Sequence, residues 1–242
     1  MSITFQQLYT VNSTAEWMTQ PFQGFVLDSR KVQAGQIFIA LTSFSQPEKT
    51  AQFAQTALDK GALAVVSEIE LGLENSIVVP NVRHLMGEWQ KRYLLTCHPF
   101  TPARILAVTG TNGKTTIARL VAELLMLQGK SCAVMGTTGN GILPNLEASS
   151  HTTLDAVHLQ NALYTYATQG AEFASIEASS HGLEQGRLAG CEIEIAAYSN
   201  LSRDHLDYHG SMAAYWQAKE ALFAWPELEV AVINVDDAQG AK

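Results

Sequence analysis

The stretch Arg104-Ile-Leu-Ala-Val-Thr-Gly-Thr-Asn-Gly-Lys-Thr-Thr116 contains the local signals that decide the fold of this chain. Its apolar run Ile105-Leu-Ala-Val108 is typical of a buried strand in a parallel sheet. Gly110 and Gly113 frame a tight turn, and an apolar pattern with helical spacing begins after Lys114. In a strand, turn and helix of this kind, backbone N–H groups and the helix N-terminus bind phosphate oxygens. The stretch therefore predicts a nucleotide site.

The helix after this turn is predicted from the spacing of its apolar residues. They recur at intervals of three and four, which places them on one helical face: Ile117, Leu120, Val121, Leu124 and Leu125. Gly129 follows them as a typical helix stop. Lys114 would reach the terminal phosphates, and the hydroxyl of Thr115 would ligate Mg²⁺. The alternative is an ordinary glycine turn before a core helix, since Val108 stands where the general phosphate-loop pattern has a glycine.

Length and composition indicate a globular protein. The chain has 242 residues, enough for one large domain or two small ones, and is 47% hydrophobic and 16% charged. Its net charge of −8 and the absence of a Lys/Arg run argue against nucleic-acid binding. Cys97, Cys132 and Cys191 lack metal-ligand spacing, so we expect reduced thiols. With no signal peptide and no apolar run of membrane-spanning length, we expect a cytoplasmic protein without membrane contact.

Two α/β domains are predicted. Residues 1–100 form the smaller one, with strands over 24–27, 36–41, 62–66 and 76–79. Its helix over 51–60 has Phe53, Ala54, Ala57 and Leu58 on one face. Thr96–Pro102 contains two prolines and no periodicity, which is typical of a linker.

Residues 101–242 are predicted to form the second domain around a mostly parallel sheet. Its strands alternate with helices, and we expect them over 105–108, 131–135, 173–176, 193–199 and 230–233. Thr153 and Ser211 are the expected caps of two of these helices. Gly136–Gly141 is expected to form a turn, although its glycine spacing does not match a dinucleotide fingerprint.

Polar clusters follow four of the predicted strands. They are Thr109-Gly110, Glu177–His181, Asn200–His205 and Asn234–Asp237. Because the carboxyl ends of parallel strands meet at one edge of a sheet, where ligands bind, these clusters predict one active-site edge.

Individual residues of these clusters allow two interpretations. Glu177 ends an apolar strand, so it either binds Mg²⁺ beside the phosphate loop or caps the next helix. The segment Asp204-His-Leu-Asp-Tyr-His209 is either functional or held by loop hydrogen bonds. Leu206 replaces the glutamate that a zinc hydrolase needs. No pattern singles out Lys219, since a lysine on an amphipathic helix usually faces solvent.

Several segments resemble one known family. Gly110-Thr-Asn-Gly-Lys-Thr-Thr116 resembles the nucleotide loop of the Mur ligases and the folylpolyglutamate synthetases. Glu177-Ala-Ser-Ser-His-Gly-Leu183 and Asn200–Gly210 resemble the MurE branch, the UDP-MurNAc-tripeptide synthetases. Leu27-Asp-Ser-Arg30 and Ala34–Ala40 are similar to the domain that binds UDP in that branch and that folylpolyglutamate synthetases lack. The resemblance covers the entire chain.

The resemblance implies an ATP-dependent ligase of cytoplasmic peptidoglycan precursor synthesis. Such an enzyme joins a diamino acid, meso-diaminopimelate or lysine, to the D-glutamate carboxylate of UDP-MurNAc-L-Ala-D-Glu through an acyl phosphate. The implied fold is a small N-terminal UDP-binding domain followed by a P-loop central domain. Family members continue beyond the position of Lys242 into a third domain that recognises the amino acid. We therefore expect a truncated chain that is inactive alone, and a monomer when complete.

The resemblance also implies roles for individual residues. ATP would contact the phosphate loop, which consists of Gly110, Thr111, Asn112, Gly113, Lys114, Thr115 and Thr116. Two Mg²⁺ ions would be held by Thr115, Glu177, His205 and a carbamate on Lys219. The UDP-MurNAc-peptide would contact Leu27, Ser29, Phe44, Ser45, Gln46, Thr152, Thr153, Ser179, Gln185 and Arg187. The catalytic residues would be Lys114, Lys219 and His205. His151 departs from the family pattern, which commonly has asparagine there.

Two other functions are compatible with the residues themselves. One is a P-loop kinase or hydrolase with its own small N-terminal domain. The other is a non-catalytic nucleotide-binding module. A protein of either kind would have no need to bind UDP-MurNAc-dipeptide.

Overall fold

The computed structural model describes residues 1–10, 15–42, 46–149 and 151–242. These residues form two compact units, Met1–Pro99 and Phe100–Lys242. The boundary falls inside the proline-containing stretch Thr96–Pro102, although a helix extends into this stretch as far as Cys97. Within the described ranges, no helix is long and apolar enough to cross a membrane.

The first unit contains a four-stranded parallel sheet. Its strands lie in chain order: β1 (Phe25–Val26), β2 (Ile37–Ala40), β3 (Ala64–Ser67) and β4 (Ser76–Val78). Its α-helices are α1 (Phe5–Leu8), α2 (Thr50–Asp59) and α3 (Val82–Cys97), and short 3₁₀ turns span Glu16–Thr19 and Pro47–Lys49. Ala54 and Ala57 of α2 are fully buried, so the helix approaches the sheet through small side chains. Phe53, predicted on the same buried face, is instead 43% exposed and lines a cavity.

The second unit contains a six-stranded sheet in the order β10-β9-β5-β8-β6-β7. The strands are β5 (Arg104–Thr109), β6 (Cys132–Gly136), β7 (Gly139–Ile142), β8 (Phe173–Glu177), β9 (Ile193–Tyr198) and β10 (Val230–Ile233). The helices are α4 (Lys114–Leu127), α5 (Ala156–Thr168), α6 (Ser180–Glu184), α7 (Leu206–His209) and α8 (Met212–Glu220), followed by a 3₁₀ turn over Ala221–Ala224. All strand pairs are parallel except β6–β7. The mixed α/β class and the mostly parallel sheet confirm the predicted fold class.

β7 replaces part of the predicted turn Gly136–Gly141. β6 reverses through Thr137 and Thr138 and pairs with β7, so that Gly136 lies opposite Gly139. The Asn140 side chain closes the turn by accepting a hydrogen bond from Gly136 N at 3.1 Å. A two-residue connection of this kind is a β-hairpin, which the glycine pattern alone did not reveal.

The predicted apolar face of α4 is wrong in part. Ala118 and Ala122 are the buried residues of this helix, whereas Leu120 and Leu124 are 49% and 59% exposed. The helix contacts β6, β8 and β5, and the small alanines allow it to lie close to them. The larger side chains are therefore turned away from this contact.

One of the two predicted helix caps is confirmed. Ser211 caps α8, because its side chain accepts a hydrogen bond from Ala214 N. α5 is capped by Asp155 and not by Thr153, since the Asp155 carboxylate accepts from His158 N at 3.0 Å.

Candidate active site

The phosphate loop leads from the carboxyl end of β5 into α4. Gly110 and Gly113 have φ values of 144° and 88°, in the region that favours glycine. A Cβ atom on Gly110 would lie 1.9 Å from Ser199 Oγ, so the close approach of the end of β9 excludes any side chain here. Asn112 and Asn200 exchange hydrogen bonds of 3.1 and 3.0 Å, which fix the loop against the end of β9.

Lys114 folds back into the loop from the first turn of α4. Its Nζ donates to the carbonyl oxygens of Gly110 and Thr111, both at 2.9 Å. Burial lowers the pKa of Lys114, and the negative charges of Glu177 and Asp204 oppose that shift. The ammonium group is thus held at the loop where phosphate oxygens would bind.

Glu177 is a buried carboxylate with several hydrogen-bond donors. It is 1% exposed and accepts from Thr115 Oγ1 at 2.8 Å, from Thr137 N at 2.8 Å and from Thr137 Oγ1 at 3.3 Å. Gly136 makes room for it, because a Cβ atom there would lie 2.0 Å from Glu177 Oε1. Ser179 caps the following helix, α6, so the interpretation of Glu177 as a helix cap is wrong.

Lys219 is buried beside the same loop, so its interpretation as a solvent-facing lysine is wrong. It is 1% exposed, and its Nζ donates to Gly110 O at 2.8 Å. The ammonium lies 4.4 Å from the centre of the Tyr215 ring. Burial lowers the pKa of Lys219 to about 7, and the positive charge of Lys114 adds to the shift. The Tyr215 hydroxyl is 3.2 Å from Thr111 Oγ1, which ties α8 to the loop.

The histidines of the Asp204–His209 segment have different surroundings. His205 lies in the left-handed region at φ 50°, is about half exposed, and places Nε2 3.4 Å from Asp204 Oδ2. The side chain of His209 is buried, with its ring nitrogens 3.0 Å from Glu184 Oε2 and 3.0 Å from Ser180 Oγ. Burial lowers the pKa of His209. Among the described residues, no group of three or more His, Cys, Asp or Glu side chains is arranged to hold a metal ion.

Four of the five candidates for muramoyl-peptide binding in the second unit form one hydrogen-bonded group. Thr153 Oγ1 donates to Glu177 O at 2.6 Å and accepts from Ser179 N at 3.1 Å. Arg187 donates to Thr153 O at 2.7 Å and through two nitrogens to Gln185 Oε1. The fifth candidate, Thr152, is bonded to Thr137, with 3.1 Å between the two hydroxyl oxygens. All five residues are therefore linked by hydrogen bonds, directly or through a neighbour, to the end of β8.

The candidates for UDP binding in the first unit lie at a separate cavity. Leu27 and Ser29 line this cavity of about 650 Å³, together with Phe38, Thr50 and Phe53. Gln46 precedes the 3₁₀ turn that leads into α2. The predictions for Phe44 and Ser45 lie outside the described residues.

Sequence reasoning missed Thr137 and Tyr215. Thr137 follows β6 directly, so it satisfies the same strand-end rule that selected the other polar clusters. Tyr215 had no local signal, because its contacts with Lys219 and Thr111 depend on how α8 crosses the loop. Asn234 and Asp237, which the sequence analysis placed in a polar cluster, hold the end of β9. Asn234 donates a hydrogen bond to Ser199 O, and Asp237 accepts one from the Tyr198 hydroxyl.

The phosphate loop lies inside a match to a known protein family. Residues 108–242 match the model of the Mur ligase middle domain. The chain belongs to the Mur ligase family. The match begins in β5 and continues through the phosphate loop, Glu177 and Lys219.

Individual Mur ligases match the first unit as well. The chain is 43% identical over 221 residues to the UDP-N-acetylmuramoyl-L-alanyl-D-glutamate–2,6-diaminopimelate ligase of Ectopseudomonas mendocina, covering 88% of this chain and 44% of that protein. It is 44% identical over 223 residues to the ligase of the same name from Haemophilus influenzae, covering 89% and 45%. The chain thus spans about half the length of the curated relatives it matches.

Solved structures of Mur ligases have the same architecture. A structure of a UDP-N-acetylmuramoyl-L-alanyl-D-glutamate–2,6-diaminopimelate ligase superimposes with a TM-score of 0.94 at 65% identity, covering 100% of this chain and 49% of that chain. MurF from Acinetobacter baumannii superimposes with a TM-score of 0.62 at 17% identity, covering 92% and 46%. The second likeness concerns the fold alone.

Proposed function

We propose that this chain is part of an ATP-dependent amide ligase that adds a diamino acid to UDP-MurNAc-L-Ala-D-Glu through an acyl phosphate. The names of the similar ligases favour 2,6-diaminopimelate over lysine as that amino acid. The reaction belongs to peptidoglycan precursor synthesis in the cytoplasm, where ATP is available.

The observation that carries this proposal is the meeting of two lysines and a carboxylate at one loop. Lys114 and Lys219 both donate to the carbonyl oxygen of Gly110, and Thr115, the residue after Lys114, donates to Glu177. Phosphoryl transfer needs positive charge and bound metal around the transferred group. The lysines would supply the positive charge to a nucleotide bound at the loop, and Thr115 and Glu177 would offer oxygen ligands to its metal ion.

Thr115 and Glu177 have the chemistry that a magnesium site requires. Mg²⁺ takes oxygen ligands, usually one or two from carboxylates and the remainder from substrate phosphates and water. A hydroxyl that donates its proton to a carboxylate still offers its lone pairs to a metal. Mg²⁺ bound here would neutralise charge on the phosphates, while Glu177 would hold the Thr115 hydroxyl in place. A second Mg²⁺ ion would be held by Glu177, His205 and a carbamate on Lys219.

We propose further that Lys219 carries a carbamate. CO₂ adds to the neutral amine, and one proton is released as the N–C bond forms. Burial favours the neutral amine, which is the reactive form. The product is an anion whose oxygens would donate lone pairs to a metal ion, and the repulsion with Lys114 would be removed.

The remaining residues would bind the donor substrate. The cavity lined by Leu27, Ser29 and Phe38 would take the uridine group. The resemblance to the family adds Phe44, Ser45 and Gln46 to the residues that would contact UDP. Thr152, Thr153, Ser179, Gln185 and Arg187 would hold the muramoyl-peptide, and Arg187 would supply the positive charge for a carboxylate. The D-glutamate carboxylate would then attack the terminal phosphorus of ATP beside Lys114, which forms the acyl phosphate and releases ADP. The amino group of the diamino acid would displace inorganic phosphate from the acyl phosphate to form the amide.

Separate titrations distinguish this function from its alternatives. We expect the 242-residue chain to bind Mg·ATP and, independently, UDP-MurNAc-L-Ala-D-Glu in isothermal titration calorimetry. A P-loop kinase, a hydrolase or a pure nucleotide module would give no heat with the UDP-sugar. That result would overturn the proposal.

The Lys114→Ala variant tests the nucleotide half of the proposal. Loss of the ammonium should weaken Mg·ATP binding by roughly tenfold to a hundredfold, because a charge-assisted contact contributes about 1.5–3 kcal/mol. Binding of the UDP-sugar and the unfolding midpoint should be preserved. Lys130→Ala is the matched control, since this lysine pairs at the surface with Glu172. Equal nucleotide affinity in both variants would contradict the role of Lys114.

A further inference from the structure

Thr137 lies between the two ligand sites proposed above. Its hydroxyl oxygen is 3.3 Å from Glu177 Oε2 and 3.1 Å from Thr152 Oγ1. A hydroxyl has one proton to donate, so it can serve only one of these acceptors at a time. The Thr152 hydroxyl and the Glu177 carboxylate therefore compete for the Thr137 proton.

The β6–β7 hairpin holds Thr137 in this position. The backbone N–H of Thr137 donates to Glu177 Oε1 at 2.8 Å, which fixes the residue against the carboxylate. Asn140 closes the turn by accepting from Gly136 N, and Gly136 leaves space for Glu177. The hydroxyl can therefore change its acceptor by rotating, without movement of the backbone.

We propose that Thr137 is a positioning residue through which donor-substrate binding at Thr152 tightens Mg²⁺-nucleotide binding at Thr115 and Glu177. A substrate group that turns the Thr152 side chain into its own hydrogen bond would move the Thr152 hydroxyl out of reach of Thr137. The Thr137 proton then goes to Glu177 Oε2, where Thr115 also donates. This fixes the carboxylate and, with it, the orientation of the Thr115 hydroxyl. The inference rests on the proposed function.

Such a link would make the affinity of the loop for Mg·ATP depend on whether the donor substrate is bound. A coupling of roughly fivefold or more between two sites is typical of linked binding equilibria, and the coupling is reciprocal. Thr137 would supply it through one rotatable bond.

The test measures the affinity of the chain for the fluorescent nucleotide MANT-ATP over a Mg²⁺ titration, with and without UDP-MurNAc-L-Ala-D-Glu. In the wild type, the substrate should raise the affinity by roughly fivefold or more. Thr137→Val keeps the shape and the backbone N–H but removes the hydroxyl, so the ratio should fall towards one. Thr137→Ser restores the hydroxyl and should restore the ratio. Thr138→Val, in the other residue of the turn, should behave as the wild type.

Each result has a definite meaning. A substrate effect that persists in Thr137→Val, or that is lost equally in Thr137→Ser, would overturn the inference. A wild type that binds MANT-ATP without any effect of the substrate would overturn it as well, while the proposed nucleotide site would stand. A wild type that binds neither ligand would instead contradict the proposed function.

Discussion

Lys219 illustrates how burial sets chemistry at the scale of one residue. Its ammonium is removed from water and faces the positive charge of Lys114, so its pKa falls to about 7 from an ordinary value near 10.5. A lowered pKa means that the folded chain releases this proton at a lower pH than the unfolded chain does. The neutral amine therefore becomes the major form as the pH rises through about 7. A solvent-exposed lysine at the same pH remains almost fully charged.

The state of Lys219 can be measured directly. We expect ¹³C NMR of the chain in [¹³C]bicarbonate to show a carbamate signal that grows as the pH rises through about 7. The signal should disappear in Lys219→Ala and persist in Lys130→Ala, whose lysine is half exposed. A carbamate signal that survives in Lys219→Ala, or no signal at any pH, would contradict the assignment.

At the scale of secondary-structure elements, the end of β6 packs closely against the end of β8. Gly136 lies so close to Glu177 that no side chain can be accommodated there. The contact brings the turn of the β6–β7 hairpin to the carboxylate. The hairpin is thus part of the candidate site as well as the edge of the sheet.

Gly136→Ala should separate these two elements. The added methyl group would displace Glu177, cost about 1–3 kcal/mol of stability in urea unfolding, and weaken the Mg²⁺ dependence of nucleotide binding. Gly129→Ala is the control for a general loss of stability. An alanine there would be strained by the φ of 75°, but its Cβ would meet no atom within 4 Å. Gly129→Ala should lower the stability without changing the Mg²⁺ dependence of nucleotide binding. Unchanged Mg²⁺ dependence in Gly136→Ala would contradict the proposed role of Glu177.

The elements also show which features could be predicted from the sequence and which could not. The parallel strands of the second unit were predictable because each is a continuous apolar run, and β10 was placed at its observed ends although its side chains are exposed. The strand-end rule located Glu177 for the same reason. The antiparallel strand β7 was missed, because Gly139–Ile142 contains no such run. Burial of Lys219 and the inward face of α4 were not predictable, because both depend on which neighbour a helix contacts. A lysine or leucine has the same local pattern in either environment.

At the scale of the whole molecule, β10 ends the sheet order and pairs with β9 alone in the described structure. Its apolar side chains are open to solvent, with Val232 55% exposed. An exposed apolar edge strand is a template for pairing with another chain. We therefore expect this chain to self-associate at high concentration.

Sedimentation velocity tests this expectation. The weight-average sedimentation coefficient should rise with concentration in the wild type, and Val232→Lys should suppress the rise by adding a charge to the edge strand. Ile69→Lys is the control, because Ile69 is 43% exposed but belongs to the first unit, outside the sheet that β10 ends. A wild type that remains monomeric at every concentration would contradict the expectation, as would equal association in both variants.

The central claim is that a metal-bound nucleotide and the donor carboxylate meet at the phosphate loop. Electron–nuclear double resonance tests it with Mn²⁺ in place of Mg²⁺, ATP, and UDP-MurNAc-L-Ala-D-Glu that carries ¹³C in its D-glutamate carboxylates. We predict ³¹P couplings from the nucleotide and, once the labelled substrate is added, a ¹³C coupling to the same Mn²⁺. Phosphorus couplings without any ¹³C coupling at saturating substrate would contradict the claim.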